Sequence, residues 1–119
     1  MEKHLIAPSI LSADFSNLRS DIDMVNESEA DWFHIDIMDG VFVPNISFGM
    51  PVLKSINKYA VKTLDVHLMI INPIKYVKIF SELGSDILTI HYEVCKDDLD
   101  KIINQIRKYN MKVGIAINP

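Results

Sequence analysis

Three residue types in one short arrangement invite a chemical reading. "WFHIDIMDG", residues 32–40, sets His34 and Asp36 two apart inside an otherwise apolar run, and "KTLDVHLMI", residues 62–70, sets Asp65 and His67 two apart inside another. Two-residue spacing in an extended chain puts both members of each pair on one face. Two histidines and a carboxylate form a mixed nitrogen and oxygen donor set of the kind that holds Zn, Fe, Mn or Co as a divalent ion. The competing reading is a hydrogen-bonded polar cluster with no ion. Burying such groups without partners is costly, so either reading requires that they meet. Met38 and Met69 follow Asp36 and His67 at the same two-residue step, giving H-x-D-x-M and D-x-H-x-M. They either fill core space, as methionine commonly does, or form a soft apolar lid above the polar pair. Ser9 offers a hydroxyl for a substrate or for a turn. Asp65 is expected to orient His67 or a neighbour. His91 and Glu93 read as a self-satisfied pair, His4 as a solvated residue, and Cys95 as a structural residue.

The elements that must position these groups alternate along the whole chain. Strand-like segments are "HLIAPSILS", "DWFHIDIMD", "KTLDVHLMI", "DILTIHYE" and "KVGIAINP". Between them lie helix-like segments. Asp14 is a cap for one carrying Leu18, Ile22 and Val25 at helical spacing. Pro51 opens a second with Val52, Leu53 and Ile56. Asn72-Pro73 reads as cap and first-turn proline for a third, with Val77, Phe80 and Leu83 inward and Gly84 as its stop. Asp97 or Asp98 caps a fourth, with Leu99, Ile102, Ile103 and Ile106 on one face and an end near Asn110. Residues 40–50, rich in Gly, Pro and Asn, form a loop. A βαβαβαβαβ order implies right-handed crossovers and a parallel sheet.

Parity separates the two common parallel architectures. An open sheet is covered by helices on both faces and should be apolar on both. Here Phe33, Ile35 and Ile37 oppose His34, Asp36 and Met38. Leu64, Val66 and Leu68 oppose Asp65, His67 and Met69. Leu88 and Ile90 oppose Thr89, His91 and Glu93, and Val113, Ile115 and Ile117 oppose Gly114, Ala116 and Asn118. One aliphatic face and one polar or small face indicate a (β/α) barrel, with the site near the C-terminal strand ends. The fold class is therefore α/β, of the parallel TIM-barrel type. A closed barrel takes eight units and about 250 residues. Residues 1–119 supply four units and a fifth strand, the expectation being the N-terminal part of one (β/α)8 domain or a half-barrel completed by a partner.

Composition narrows the function classes. Hydrophobic residues make up 49% and charged residues 24%, the balance of a globular protein. Net charge is −4 with no basic run, which argues against nucleic acid or an anionic membrane as partner. No apolar run approaches the ~18 residues of a membrane span. The start, "MEKHLIAPSI", lacks a signal-peptide pattern. One cysteine permits no internal disulfide and fits the cytoplasm.

The stretches "IAPSILSADFSNL", "HIDIMDGVFVPNISFG", "DVHLMIINP", "TIHYE" and "GIAINP" resemble, in order along the whole chain, the strand-and-loop motifs of the ribulose-phosphate 3-epimerases. The allulose-phosphate 3-epimerases share much of the pattern. The resemblance implies a metal-dependent barrel that epimerises a ketose phosphate at carbon 3, interconverting D-ribulose 5-phosphate and D-xylulose 5-phosphate through an enediolate. It matches His34, Asp36 and His67 to metal ligands and Asp36 to a catalytic acid/base residue. It matches Ser9, His67, Met38 and Met69 to substrate-contacting positions, the two methionines as a sulfur-rich cap. The fourth ligand, which is also the second acid/base aspartate, and the phosphate loop belong to the family's second barrel half. Val41 and Met50 depart from residues frequent in the family. The resemblance thus implies one divalent metal per site, no nicotinamide or flavin, and a homo-oligomer or completion by a second half. It also implies negligible turnover by these residues alone. A non-catalytic half-barrel module is the reading from a different class.

Overall fold

A computed structural model describes residues 2–119. Four parallel strands form one sheet in the order β1-β2-β3-β4: β1 (Trp32–Met38), β2 (Thr63–Met69), β3 (Ile87–His91) and β4 (Lys112–Ala116). Helices α1 (Leu18–Glu27), α2 (Met50–Tyr59), α3 (Val77–Glu82) and α4 (Leu99–Lys108) alternate with them, which is the expected α/β architecture.

Among the described residues the helices cover one face only, as parity predicts. Phe33, Ile35, Leu64, Val66, Leu68, Leu88 and Ile90 are buried under Ile22, Leu53, Ile56, Phe80, Ile102 and Ile106. Full burial of such side chains is worth about 1.5–3 kcal/mol each, and this layer anchors the sheet. The opposite positions of β1 and β2 alternate with them and are only half-buried. The polar residues therefore stand on the helix-free face. A one-residue slip in either strand would turn them into the aliphatic layer.

Four expectations are corrected. The segment "HLIAPSILS" is not a strand of the sheet. It runs beside β1 in a parallel sense, with Ile6 O accepting from Asp31 N and Trp32 N and Pro8 O accepting from His34 N at 3.0 Å. Only Ser9 forms a bridge, to His34. Pro8 has no N–H to continue a ladder, and the chain then tightens into a 3-10 turn over Ile10–Ser12. Asp14 caps a 3-10 turn (Phe15–Asn17) that leads into α1 rather than the helix itself, accepting from Ser16 N at 2.9 Å. Asn72 makes no side-chain cap: it sits in the left-handed region, and a 3-10 turn (Pro73–Tyr76) precedes α3. Asp98 occupies the N-cap position of α4 without a side-chain cap bond. Gly84 stops α3 as expected, at φ 90°.

On the other edge, β4 pairs with β3, and its Ile115 is exposed. β3 and β4 approach closely at Thr89 and Gly114, which are paired across the ladder. A Cβ on Gly114 would lie 2.1 Å from Thr89 Oγ1 and 2.9 Å from its Cβ. Glycine is required there by contact, not by dihedral angle.

Candidate metal centre

The register of β1 and β2 builds the site. His34 stands opposite Asp65, Asp36 opposite His67, and Met38 opposite Met69. The two motifs are therefore aligned residue for residue, and each histidine faces a carboxylate across the ladder. His34 uses both ring nitrogens: Nδ1 lies 2.8 Å from Asp65 Oδ2 and Nε2 lies 2.9 Å from Asp36 Oδ1. His67 Nδ1 lies 3.2 Å from the same Asp36 Oδ1. Asp36 Oδ2 accepts from Ser9 Oγ at 2.7 Å, while Ser9 Oγ accepts from Leu11 N and so also caps the Ile10–Ser12 turn. Asp65 orients His34, the neighbour, rather than His67.

The charges follow from these contacts. Both ring nitrogens of His34 face carboxylates, so Asp36 first and Asp65 second hold its proton and push its pKa up to about 10, against the opposing effect of burial. Burial pushes the Asp36 carboxyl up. The contacts with His34, His67 and Ser9 outweigh it and hold the group well below the ordinary carboxylate range. Asp36 is thus a carboxylate at neutral pH, and the site holds a positive charge beside it.

His34, Asp36 and His67 each bring one ligand atom, and the three atoms lie within 4.8 Å of one another. Ligand atoms sharing a metal at bonds of ~2.0–2.2 Å stand roughly 3 Å apart. The 2.9 and 3.2 Å separations around Asp36 Oδ1 match that spacing. The donor set and its spacing fit a divalent ion, with Asp65 as the outer carboxylate behind His34.

Some residues around the centre carried no readable signal. Ser47 Oγ donates to Asp36 O at 2.7 Å and accepts from Met38 N at 3.0 Å, pinning the 40–49 loop to β1. Asp39 accepts from Val41 N and Phe42 N with one oxygen and from Ile71 N with the other, joining the loops after β1 and β2. His91 and Glu93 do pair, at 3.2 Å, but His91 also reaches His67, Nε2 to Nε2 at 2.9 Å. Met38 and Met69 lie half-buried one step beyond the Asp36–His67 pair on the helix-free face. Cys95 is buried, its Sγ donating to His91 O, and burial with Asp98 and Glu93 nearby pushes its thiol pKa up, as suits a structural residue. His4 is exposed.

A profile described as the ribulose-phosphate 3 epimerase family matches residues 5–119. The chain belongs to that family. Ribulose-phosphate 3-epimerase of Synechocystis sp. is 48% identical over 121 residues, spanning 100% of this chain and 53% of the relative. The enzyme of that name from Bacillus subtilis is 44% identical, over 96% of this chain and 52% of its own. The cytoplasmic isoform from Oryza sativa is 43% identical, over 96% of this chain and 50% of its own. The chain thus spans about half the length of these epimerase relatives. Among solved structures, orotidine 5'-monophosphate decarboxylase from Methanocaldococcus jannaschii, crystallised with the inhibitor BMP, superposes with a TM-score of 0.68. It is 17% identical, and the match covers 96% of this chain and 52% of that one. That enzyme is a TIM barrel, which places the four-stranded α/β sheet of this epimerase-family chain in the barrel class.

Proposed function

We propose that residues 1–119 form the first half of a single (β/α)8 domain that epimerises a ketose phosphate at carbon 3, converting D-ribulose 5-phosphate to D-xylulose 5-phosphate. The observation that carries the reading is the convergence of His34 Nε2, Asp36 Oδ1 and His67 Nδ1 on the helix-free face, in a chain of the epimerase family. These three residues would hold a divalent ion, of Zn, Fe, Mn or Co type. When bound, the ion would supply Lewis-acid stabilisation of the negative charge that appears on substrate oxygen as carbon 3 loses its proton.

Asp36 is the group in this chain suited to take that proton. It is a carboxylate at neutral pH, and Ser9, His34 and His67 fix both of its oxygens. A strongly acidic carboxyl is a weak base, so the C–H bond must be acidified before Asp36 can act, and this demands charge stabilisation next to it. Inversion needs a second acid on the opposite face of the sugar, expected from the second barrel half. Ser9 and His67 would contact substrate hydroxyls, with Met38 and Met69 excluding water above the reacting carbon. The β4 edge of the sheet and the single bridge at Ser9 are the edges that a second half would complete. The reaction takes place in the cytoplasm on this reading, as the name of the rice relative suggests for that protein.

The test is a ribulose 5-phosphate assay of the complete barrel with added Zn²⁺ or Mn²⁺, using allulose 6-phosphate as the comparison substrate. Asp36→Asn should abolish both epimerisation and exchange of the carbon 3 proton with D₂O. Undiminished exchange in that variant would refute Asp36 as the base.

A further inference from the structure

Epimerisation as derived from Asp36 and its ligand neighbours leaves two buried or half-buried titratable residues unused. His91 and Glu93 lie at the end of β3, and they form a directed chain that ends on His67. Glu93 Oε1 accepts from the backbone N–H of Asn118, and its Oε2 faces His91 Nδ1 at 3.2 Å. His91 Nε2 faces His67 Nε2 at 2.9 Å, with the two rings stacked at 5.0 Å and 22°. His67 Nδ1 then faces Asp36 Oδ1 at 3.2 Å.

Donor and acceptor accounting gives this chain a direction. An ionised carboxylate only accepts, so His91 Nδ1 carries the hydrogen that Glu93 receives. With one hydrogen on the ring, the lone pair of His91 lies at Nε2. The hydrogen between the two rings must come from His67 Nε2, which leaves the lone pair of His67 at Nδ1. That lone pair points at another acceptor, Asp36 Oδ1. A divalent ion between these two acceptors, where His34 Nε2 also converges, would bind both lone pairs.

We infer that Glu93 and His91 are positioning residues that fix the tautomer of His67, so that its Nδ1 is presented as a metal ligand. The inference rests on the metal reading of the His34–Asp36–His67 centre. The surroundings hold the pair in place. His91 is 6% exposed, Phe42 packs against its ring at 4.8 Å, and its carbonyl accepts from Cys95 Sγ.

Glu93→Gln is a sharp probe because Asn118 N–H is a fixed donor. The amide oxygen of the glutamine must stay on Asn118, which turns its NH₂ toward His91 Nδ1. The chain then reverses: His91 donates from Nε2, and His67 carries its hydrogen at Nδ1, the ligand position. Glu93→Ala removes the carboxylate and lets water take its place, which can accept or donate, so the original direction persists in part of the population. Zn²⁺ affinity by calorimetry should fall about 10–100-fold in Glu93→Gln, the usual loss for an outer partner of a metal-bound histidine, and less in Glu93→Ala. ¹⁵N NMR of the Zn²⁺-loaded wild type should show hydrogen on His67 Nε2. A merely structural Glu93 would give the opposite order, alanine worse than glutamine. That order, equal affinity in all three proteins, or hydrogen on His67 Nδ1 in the loaded wild type would overturn the inference. Failure of the wild type itself to bind Zn²⁺ would instead sink the metal reading, and this inference with it.

Discussion

A proton and a metal compete for His34, and the size of that competition follows from the geometry. Both ring nitrogens of His34 sit against carboxylates, at 2.8 and 2.9 Å, which pushes its pKa up to about 10. A metal ligand must be the neutral imidazole, so binding displaces this proton. At pH 6.5 the proton lowers apparent affinity by roughly 3,000-fold, and at pH 8.5 by roughly 30-fold, since each pH unit below the pKa is a factor of ten. Apparent Zn²⁺ affinity should therefore climb about 100-fold between those two pH values. Asp36 stays ionised throughout and adds no slope. Calorimetry in two buffers of different ionisation enthalpy should count about one proton released from His34 per metal at neutral pH. Asp65→Asn removes one of the two carboxylates that hold the proton, so its affinity should level off at a lower pH. A flat affinity from pH 6.5 to 8.5 with no proton released would refute this competition. His34 would then be neutral before the metal arrives, and its two carboxylate contacts could not both be hydrogen bonds that it donates.

Three other outcomes follow from separate parts of the structure. In EDTA, the His34 contacts should stabilise the fold fully below its ordinary pKa of 6.5, and that contribution should be lost as pH rises through about 10, because the folded-state pKa is the higher one. Thermal melts from pH 6 to 10 should show this decline, and His34→Gln should flatten it. Gly114→Ala would drive a Cβ into Thr89, whose Oγ1 and Cβ lie 2.1 and 2.9 Å from that position. It should cost about 1–3 kcal/mol in urea denaturation and speed amide exchange along β4, with partial rescue by Thr89→Ala. Lys62 Nζ donates to the carbonyls of Val25, Ser28 and Ala30, at 2.7, 2.8 and 2.5 Å, closing the C-terminal end of α1 with a cation. Lys62→Met should cost about 1–3 kcal/mol by the same measurement, and a loss below the error of the titration would remove Lys62 from the account of that helix end.

The sequence made the site's faces legible because strand parity is a strict rule and the hydrophobic pattern obeys it. Phe33, Ile35 and Ile37 must go under helices, so His34 and Asp36 must go the other way. The same rule places Asp65 and His67. What parity cannot supply is which nitrogen of a ring meets which oxygen, since this depends on the register between strands and on side-chain rotation. Register decided that Asp65 serves His34 rather than His67. Rotation brought His91 to His67, so a pair that looks self-contained in the sequence has a second partner. Caps were misread where a backbone angle, not a side-chain type, controls the outcome: Asn72 is left-handed at φ 50° and its side chain caps nothing. The first strand failed at one atom, the amide hydrogen that Pro8 lacks. These failures leave the site itself intact because its positions are fixed by the aliphatic layer behind it, not by the caps. The same layer explains why charge can accumulate here. Three carboxylates, Asp36, Asp65 and Glu93, meet three imidazoles on the face that no helix covers. With one hydrogen on each ring, His67 and His91 bring two hydrogens to three contacts between Asp36 and Glu93. The contact left without a hydrogen is then the one at Asp36, where His34 also points, and a divalent ion placed there would bind the lone pairs of His67 Nδ1 and Asp36 Oδ1 together.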